Sequence, residues 1–168
     1  MSVLSWGKPR IIVKAEGDDT IYRLLHTPVD DSTNLETTEG DKTEAKIEGG
    51  EVEDVRYDKS TYALSMQIRA LKGALKPFAE KDGIVDKNYK VWVVPEDPTC
   101  VGVQMLKAHV SMKTSFTAND GVIYDITINA LTNDADEAQC QFGTVSVTES
   151  GGTISAISFT ELGAEADE

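Results

Sequence analysis

The sequence predicts a mainly β protein, an antiparallel sandwich or barrel with one short flanking helix. Two observations carry that prediction. Apolar residues recur at every second position through several runs, the period of a strand with one buried face. Turn-forming clusters separate these runs at short intervals, as in strands joined by hairpins. Composition permits a core: 40 % AVILMFWYC residues plus 13 glycines, in 168 residues, bring the apolar fraction to about 48 %, the norm for a globular domain.

The elements follow in order along the chain. Residues 10–14 and 21–25 are short β runs, separated by Glu16-Gly17-Asp18-Asp19. Residues 42–48 and 51–56 flank Gly49-Gly50, a pair that supplies the positive φ of a tight hairpin turn. Tyr62, Leu64, Met66 and Ile68 alternate with Ala63, Ser65, Gln67 and Arg69. Residues 70–82 hold the helix formers Ala70, Leu71, Lys72, Ala74 and Leu75, weakened by Gly73 and limited by Pro77, so they predict a short helix or turn. Further β runs lie at 89–94, 101–106 and 108–114, with Pro95-Glu96-Asp97-Pro98 as a loop. Asn119-Asp120-Gly121 turns the chain into Val122, Tyr124, Ile126, Ile128 and Ala130, another alternating strand. Runs 142–148 and 154–159 close the pattern around Ser150-Gly151-Gly152. The whole reads as one domain over residues 1–162, followed by an acidic flexible tail over 163–168.

Charge narrows the function. Sixteen Lys and Arg against 29 Asp and Glu give −13, with a pI near 4.5. Specific nucleic-acid binding needs clustered cations to neutralise phosphates, and docking on anionic membranes needs them too, so both are disfavoured. No apolar stretch reaches the roughly 18 residues of a membrane span. The first ten residues lack a basic stretch followed by an apolar one, so no secretory signal is expected. Cys100 and Cys140 allow a single disulfide, but read better as two free, small core residues of a protein made in a reducing cytosol.

Residues 36–58 are the most polar stretch, an extended acidic hairpin. Nine acids stand against Lys42, Lys46 and Arg56, yet Ala45, Ile47, Val52, Val55 and Tyr57 keep a β signal. A lone two-stranded ribbon is marginal in water. The pattern therefore leaves two readings: a solvated surface hairpin, or one that packs on a neighbouring subunit.

Catalytic and metal constellations are weak. His26 precedes Thr27-Pro28 at a strand end, and His109 lies on the polar side of a strand; neither has a nucleophile beside it in sequence. Carboxylates are so numerous that a close pair is unspecific. No phosphate-binding glycine loop, nucleotide-binding glycine pattern, nucleophile elbow or EF-hand spacing occurs. No enzyme and no cofactor are expected. Trp92, within Tyr-Lys-Val-Trp-Val-Val, reads as a core anchor, and Trp6 as a plug on the barrel or on another subunit.

Several segments resemble the tail tube (major tail) proteins of long-tailed bacteriophages, most closely those of phages and prophages of Bacteroidetes-type bacteria. They are Leu4-Ser5-Trp6-Gly7-Lys8-Pro9, residues 33–42, Ala45-Lys46-Ile47-Glu48-Gly49-Gly50-Glu51 and Asp54-Val55-Arg56-Tyr57, and the likeness extends through residues 60–69, 91–97 and 143–162. The resemblance implies a tail-tube β-sandwich whose subunits form hexameric rings, stacked into a conduit for DNA ejection. It implies self-assembly, with tape-measure and tail-terminator or tip proteins as further partners, DNA passing without specific binding, no membrane, and a place in the virion tail after synthesis in the host bacterial cytoplasm. The hairpin of that family that reaches the adjacent ring matches Asp41, Lys42, Glu44, Lys46, Glu48, Gly49, Gly50, Glu51, Glu53, Arg56 and Tyr57 here. Asp58 and Asp125 are candidates to face the lumen. A strongly acidic chain fits a channel that must repel phosphate rather than hold it. The other readings are a β-sandwich module that binds a ligand or glycan or mediates adhesion, and a small barrel enzyme or carrier. The first needs an exposed aromatic platform, the second an internal pocket.

Overall fold

Leu64, Met66 and Ile68 are buried and their alternating neighbours Ser65 and Gln67 are not, so the two-residue period becomes the inside and outside of a sheet. The computed structural model describes residues 7–17, 21–132 and 137–165. Among the described residues every regular element is a strand: β1 (Arg10–Ala15), β2 (Arg23–Leu24), β3 (Asn34–Thr38), β4 (Lys42–Lys46), β5 (Val52–Tyr57), β6 (Thr61–Arg69), β7 (Ile84–Val94), β8 (Gly102–Thr117), β9 (Gly121–Ala130), β10 (Gln141–Ser150) and β11 (Thr153–Glu161). All pairings are antiparallel. The mainly β, antiparallel expectation therefore holds.

The main sheet runs β2-β1-β7-β8-β9-β6-β3. Its two ends are bridged by irregular chain rather than by a ladder. Leu25 N–H donates to the Ile11 carbonyl at 2.9 Å, and Val29 N–H donates to the Gln67 carbonyl at 2.7 Å. The segment between them thus spans from the β1 edge to the β6 edge and closes over the core.

Inside lies the larger apolar cluster, with Ile11, Val13, Leu64, Met66, Ile68, Val91, Met105, Val110, Met112, Ile126 and Ile128 among its buried members. A smaller cluster forms on the other side of β1 and β7, where Ile12, Trp92 and Val94 meet Val145 and Ile154 from the β10–β11 hairpin. That second layer explains why Ile11, Ile12 and Val13 are all buried although they are consecutive. A strand covered on both faces reads as a continuous apolar run.

Trp92 is the core anchor its sequence neighbours predict. It is 5 % exposed, and its indole N–H donates to the Gln104 side-chain carbonyl at 2.8 Å. Gln104 then donates to Gln141 at 2.7 Å, and Gln141 to Glu137 at 3.2 Å. Gln141 is buried, and this relay satisfies it.

Three expectations are corrected. Residues 101–106 and 108–114 form one strand, β8, not two. Tyr89 pairs with Ala108 and Val91 with Met105, so β8 carries one residue more than β7 at this point. Such a bulge shifts the alternation by one, which is why Met105 and Ala108 face the same core at a spacing of three. Second, β3 pairs with β6 over Asn34–Thr38, where the sequence showed no strand of its own. Third, the fold has no short flanking helix among the described residues; of the helix or turn expected over 70–82, the turn is found. Gly73 adopts φ 76°, outside the helical region, and the segment makes a single turn in which Ala74 N–H donates to the Leu71 carbonyl at 3.2 Å. The loop then drives Phe78 into the core, edge-on to Tyr89 with ring centroids 5.0 Å apart. A straight helix through Pro77 would not deliver that side chain.

Neither cysteine forms a disulfide. Burial pushes the Cys140 thiol up from 9.0 to about 11. An acid whose folded value is raised favours folding fully below the unfolded value and loses that contribution as pH rises from 9.0 toward 11. At pH 8 Cys140 is expected to resist alkylation in the folded protein and to react once denaturant is added. Labelling at equal rates in both states would contradict its burial. Trp6 and residues 166–168 of the tail lie outside the described residues, and residues 163–165 are exposed with no regular structure.

Candidate functional site

The acidic hairpin stands apart from the main sheet. β4 and β5 form their own two-stranded sheet, and every residue of both strands is exposed. The root is tight. Asp58 N–H donates to the Asp41 carbonyl at 2.9 Å, and a Cβ at Gly40 would fall on the Asp58 carbonyl oxygen. At the tip, Ile47 N–H donates to the Glu51 carbonyl at 3.0 Å, leaving Glu48, Gly49 and Gly50 to close the turn. Gly49 (φ 94°) and Gly50 (φ 84°) take the left-handed conformation that their sequence predicts.

Register sorts the hairpin into two faces. Lys42 lies opposite Tyr57, Glu44 opposite Val55 and Lys46 opposite Val52, so these six share one face. Thr43 opposite Arg56 and Ala45 opposite Asp54 form the other. A bulge at Glu53 keeps Val52 on the first face. On it Glu44 accepts Lys42 at 2.7 Å and lies 3.9 Å from Lys46, which neutralises much of the basic charge. Glu48, Glu51, Glu53 and Asp54 then leave the outer half of the hairpin acidic. Ile47, Val52, Val55 and Tyr57 are 39–57 % exposed, an apolar strip on a ribbon that has no core of its own.

The outward face of β3, β6, β9 and β8 is the second notable surface. Register places Asn34, Ser65, Thr127 and Ser111 in one row, and Glu36, Ala63, Asn129 and His109 in the next. In a third row Gln67 meets Asp125, and Asp125 meets Lys113. Asp125 is half-buried and accepts a hydrogen bond from the Gln67 amide at 2.7 Å. It is therefore a partnered charge on a face of small hydroxyl and amide side chains. Asp58, the other lumen candidate, is exposed at the hairpin root, where its N–H donates to the Asp41 carbonyl.

The alternating pattern did not reveal a cleft of about 620 Å³ between β2, the end of β6 and residues 70–77. Arg23 from β2, and Arg69 and Lys76 from the end of β6 and the loop after it, line this cleft. Arg23 donates to the Pro77 carbonyl at 2.7 Å and lies over the Phe78 ring. Lys76 pairs with Glu80 at 2.8 Å, and that hydrogen bond holds the ammonium above and the carboxyl below their ordinary values.

His26 and His109 are both exposed, His26 on the cleft wall and His109 on the polar sheet face between Asn88 and Asn129. Among the described residues no three His, Cys, Asp or Glu side chains gather to hold a metal ion, and no helix is long and apolar enough to cross a membrane. No protein-family model matches this chain, and no curated protein matches it.

Proposed function

We propose that this chain is a structural assembly subunit, the tail tube protein of a phage or prophage, which associates with copies of itself into stacked rings. The observation that carries the reading is the hairpin: a two-stranded sheet, exposed at every residue, that holds four large apolar side chains in water. Such a ribbon gains stability when a partner covers its apolar strip. The unpaired edge of β11 adds to this, since its run Thr-Ile-Ser-Ala-Ile-Ser-Phe-Thr-Glu carries no Lys and no Pro to discourage pairing.

In this reading rings of about six copies stack into a conduit, with tape-measure and terminator or tip proteins as further partners. The polar face of β3, β6, β9 and β8 is offered as a low-friction surface for DNA, since small hydroxyl and amide side chains cover it and Asp125 lies opposite Lys113 there. Repulsion of phosphate then comes from the excess charge of −13 per copy rather than from Asp125. No catalytic step and no cofactor enter this function.

The experiment is solution mass against protein concentration, with negative-stain microscopy of the largest species. Growth to closed rings or tubes supports the reading. A persistent monomer would favour a β-sandwich binding module instead.

A further inference from the structure

The chain enters the described fold beside an apolar surface. Gly7 takes φ 108°, and the Glu96 carboxylate accepts the Lys8 N–H at 3.1 Å, so the point where residues 1–6 join the body is fixed. Lys8, Pro9 and Arg10 share a groove of about 300 Å³ with Leu24, Leu25 and Thr27. Leu24, Leu25 and Thr27 also line the cleft of about 620 Å³, so the groove leads from the neighbours of Gly7 into the cleft. Leu24, Leu71 and Leu75 are exposed on its wall, Leu75 at 94 %. Apolar area of this kind in water marks a surface that something covers. Its charges call for no anion. Arg69 lies 3.5 Å from Asp120 and Lys76 2.8 Å from Glu80, while Arg23 donates to the Pro77 carbonyl and lies over the Phe78 and Tyr89 rings. The occupant that fits is therefore apolar and uncharged. Residues 1–6, Met-Ser-Val-Leu-Ser-Trp, carry four apolar side chains and no charged one.

We propose that residues 2–6 strap across the groove and cap the cleft of their own chain, with Trp6 against Leu24 and Leu4 against Leu71 and Leu75. Side chains two apart in an extended run point the same way, so Ser2, Leu4 and Trp6 share one side. Six extended residues reach about 20 Å from Gly7. The segment is joined to the body at the mouth of the groove, so its capture is intramolecular and needs no second copy. Covering the three leucines with a tryptophan and a leucine takes apolar area on both sides out of water. The contact is independent of the assembly reading and stands or falls alone.

The test is disulfide trapping under mild oxidation, at a concentration where light scattering gives a monomer. The background is Cys100→Ser, where the remaining Cys140 is buried. Ser2→Cys is combined with Ala74→Cys, which lies on the cleft wall with Leu71 and Leu75. The control combines Ser2→Cys with Asp30→Cys, which lines the other groove beside Gly7 and is within reach of an undocked tether. Ala74 and Asp30 are both exposed, so folding is preserved. The docked strap is expected to close the Ala74 disulfide within one chain roughly ten-fold faster than the Asp30 one, and Leu71→Ser with Leu75→Ser is expected to erase that excess. Equal rates for the two pairs, or a faster Asp30 pair, would overturn the proposal. An excess that survives the loss of both leucines would overturn it too, as would an Ala74 cross-link found only between two chains.

Discussion

Replacing Gly49 and Gly50 together by valine is expected to abolish assembly while leaving the main sheet folded. Both glycines have positive φ, 94° and 84°. A β-branched side chain there meets its own backbone, at about 1–2 kcal/mol per residue. A two-stranded ribbon exposed at every strand residue has no reserve to absorb that. The tip unravels, and with it the placement of Ile47, Glu48, Glu51 and Val52. The main core takes none of its buried members from the hairpin, so thermal unfolding of the body stays close to that of the parent chain. Light scattering and a melting curve on the same sample check both halves. Rings or tubes that form as before would show that the hairpin is a surface ornament rather than an assembly element.

The opposite pattern is expected for Trp92→Ala: a large loss of stability before any question of assembly arises. Trp92 is buried between two layers, beside Ile12, Val94, Val145 and Ile154, with the Tyr22 ring 5.6 Å away. Truncating a buried aromatic to alanine costs about 3–5 kcal/mol, a large share of the roughly 5–15 kcal/mol that holds a domain together. The indole N–H is also the first donor of the relay through Gln104 and Gln141, and its loss leaves an acceptor unmet in a half-buried place. A fall in melting temperature of roughly 6–20 °C follows. Phe116→Ala, on an exposed part of β8, should shift it hardly at all. Similar shifts for both would mean that the β10–β11 layer does not cover Trp92 as described.

What the sequence disclosed, and what it hid, follows from the range of the interactions. The alternation of Leu64, Met66 and Ile68, or of Ile126, Ile128 and Ala130, is a local property. It read directly as strands whose bounds are close to those found. The hairpin and its Gly49-Gly50 turn were legible for the same reason. β3 was not, because an edge strand with Leu35 as its inward apolar residue has too little contrast to show a period. The bulge in β8 was hidden because each side of it alternates correctly, and only the pairing with β7 shows the slip. Residues 70–82 left helix and turn both open because helix propensity is a weak local bias; burial of Phe78 against Tyr89 goes with the turn. Of the candidate site, the hairpin half was visible as charge and pattern. The cleft was not, since Arg23 comes from one segment and Arg69 and Lys76 from another, and only the fold brings the two together.

The most direct test of the assembly reading is the mass of the purified protein in solution across a wide concentration range, read together with electron micrographs. The expected result is a rise from the 18.2 kDa monomer toward closed annular particles of about six copies, with a central opening and a tendency to stack. A mass that stays at 18.2 kDa at every concentration, even after seeding with tail-tip proteins, would contradict it.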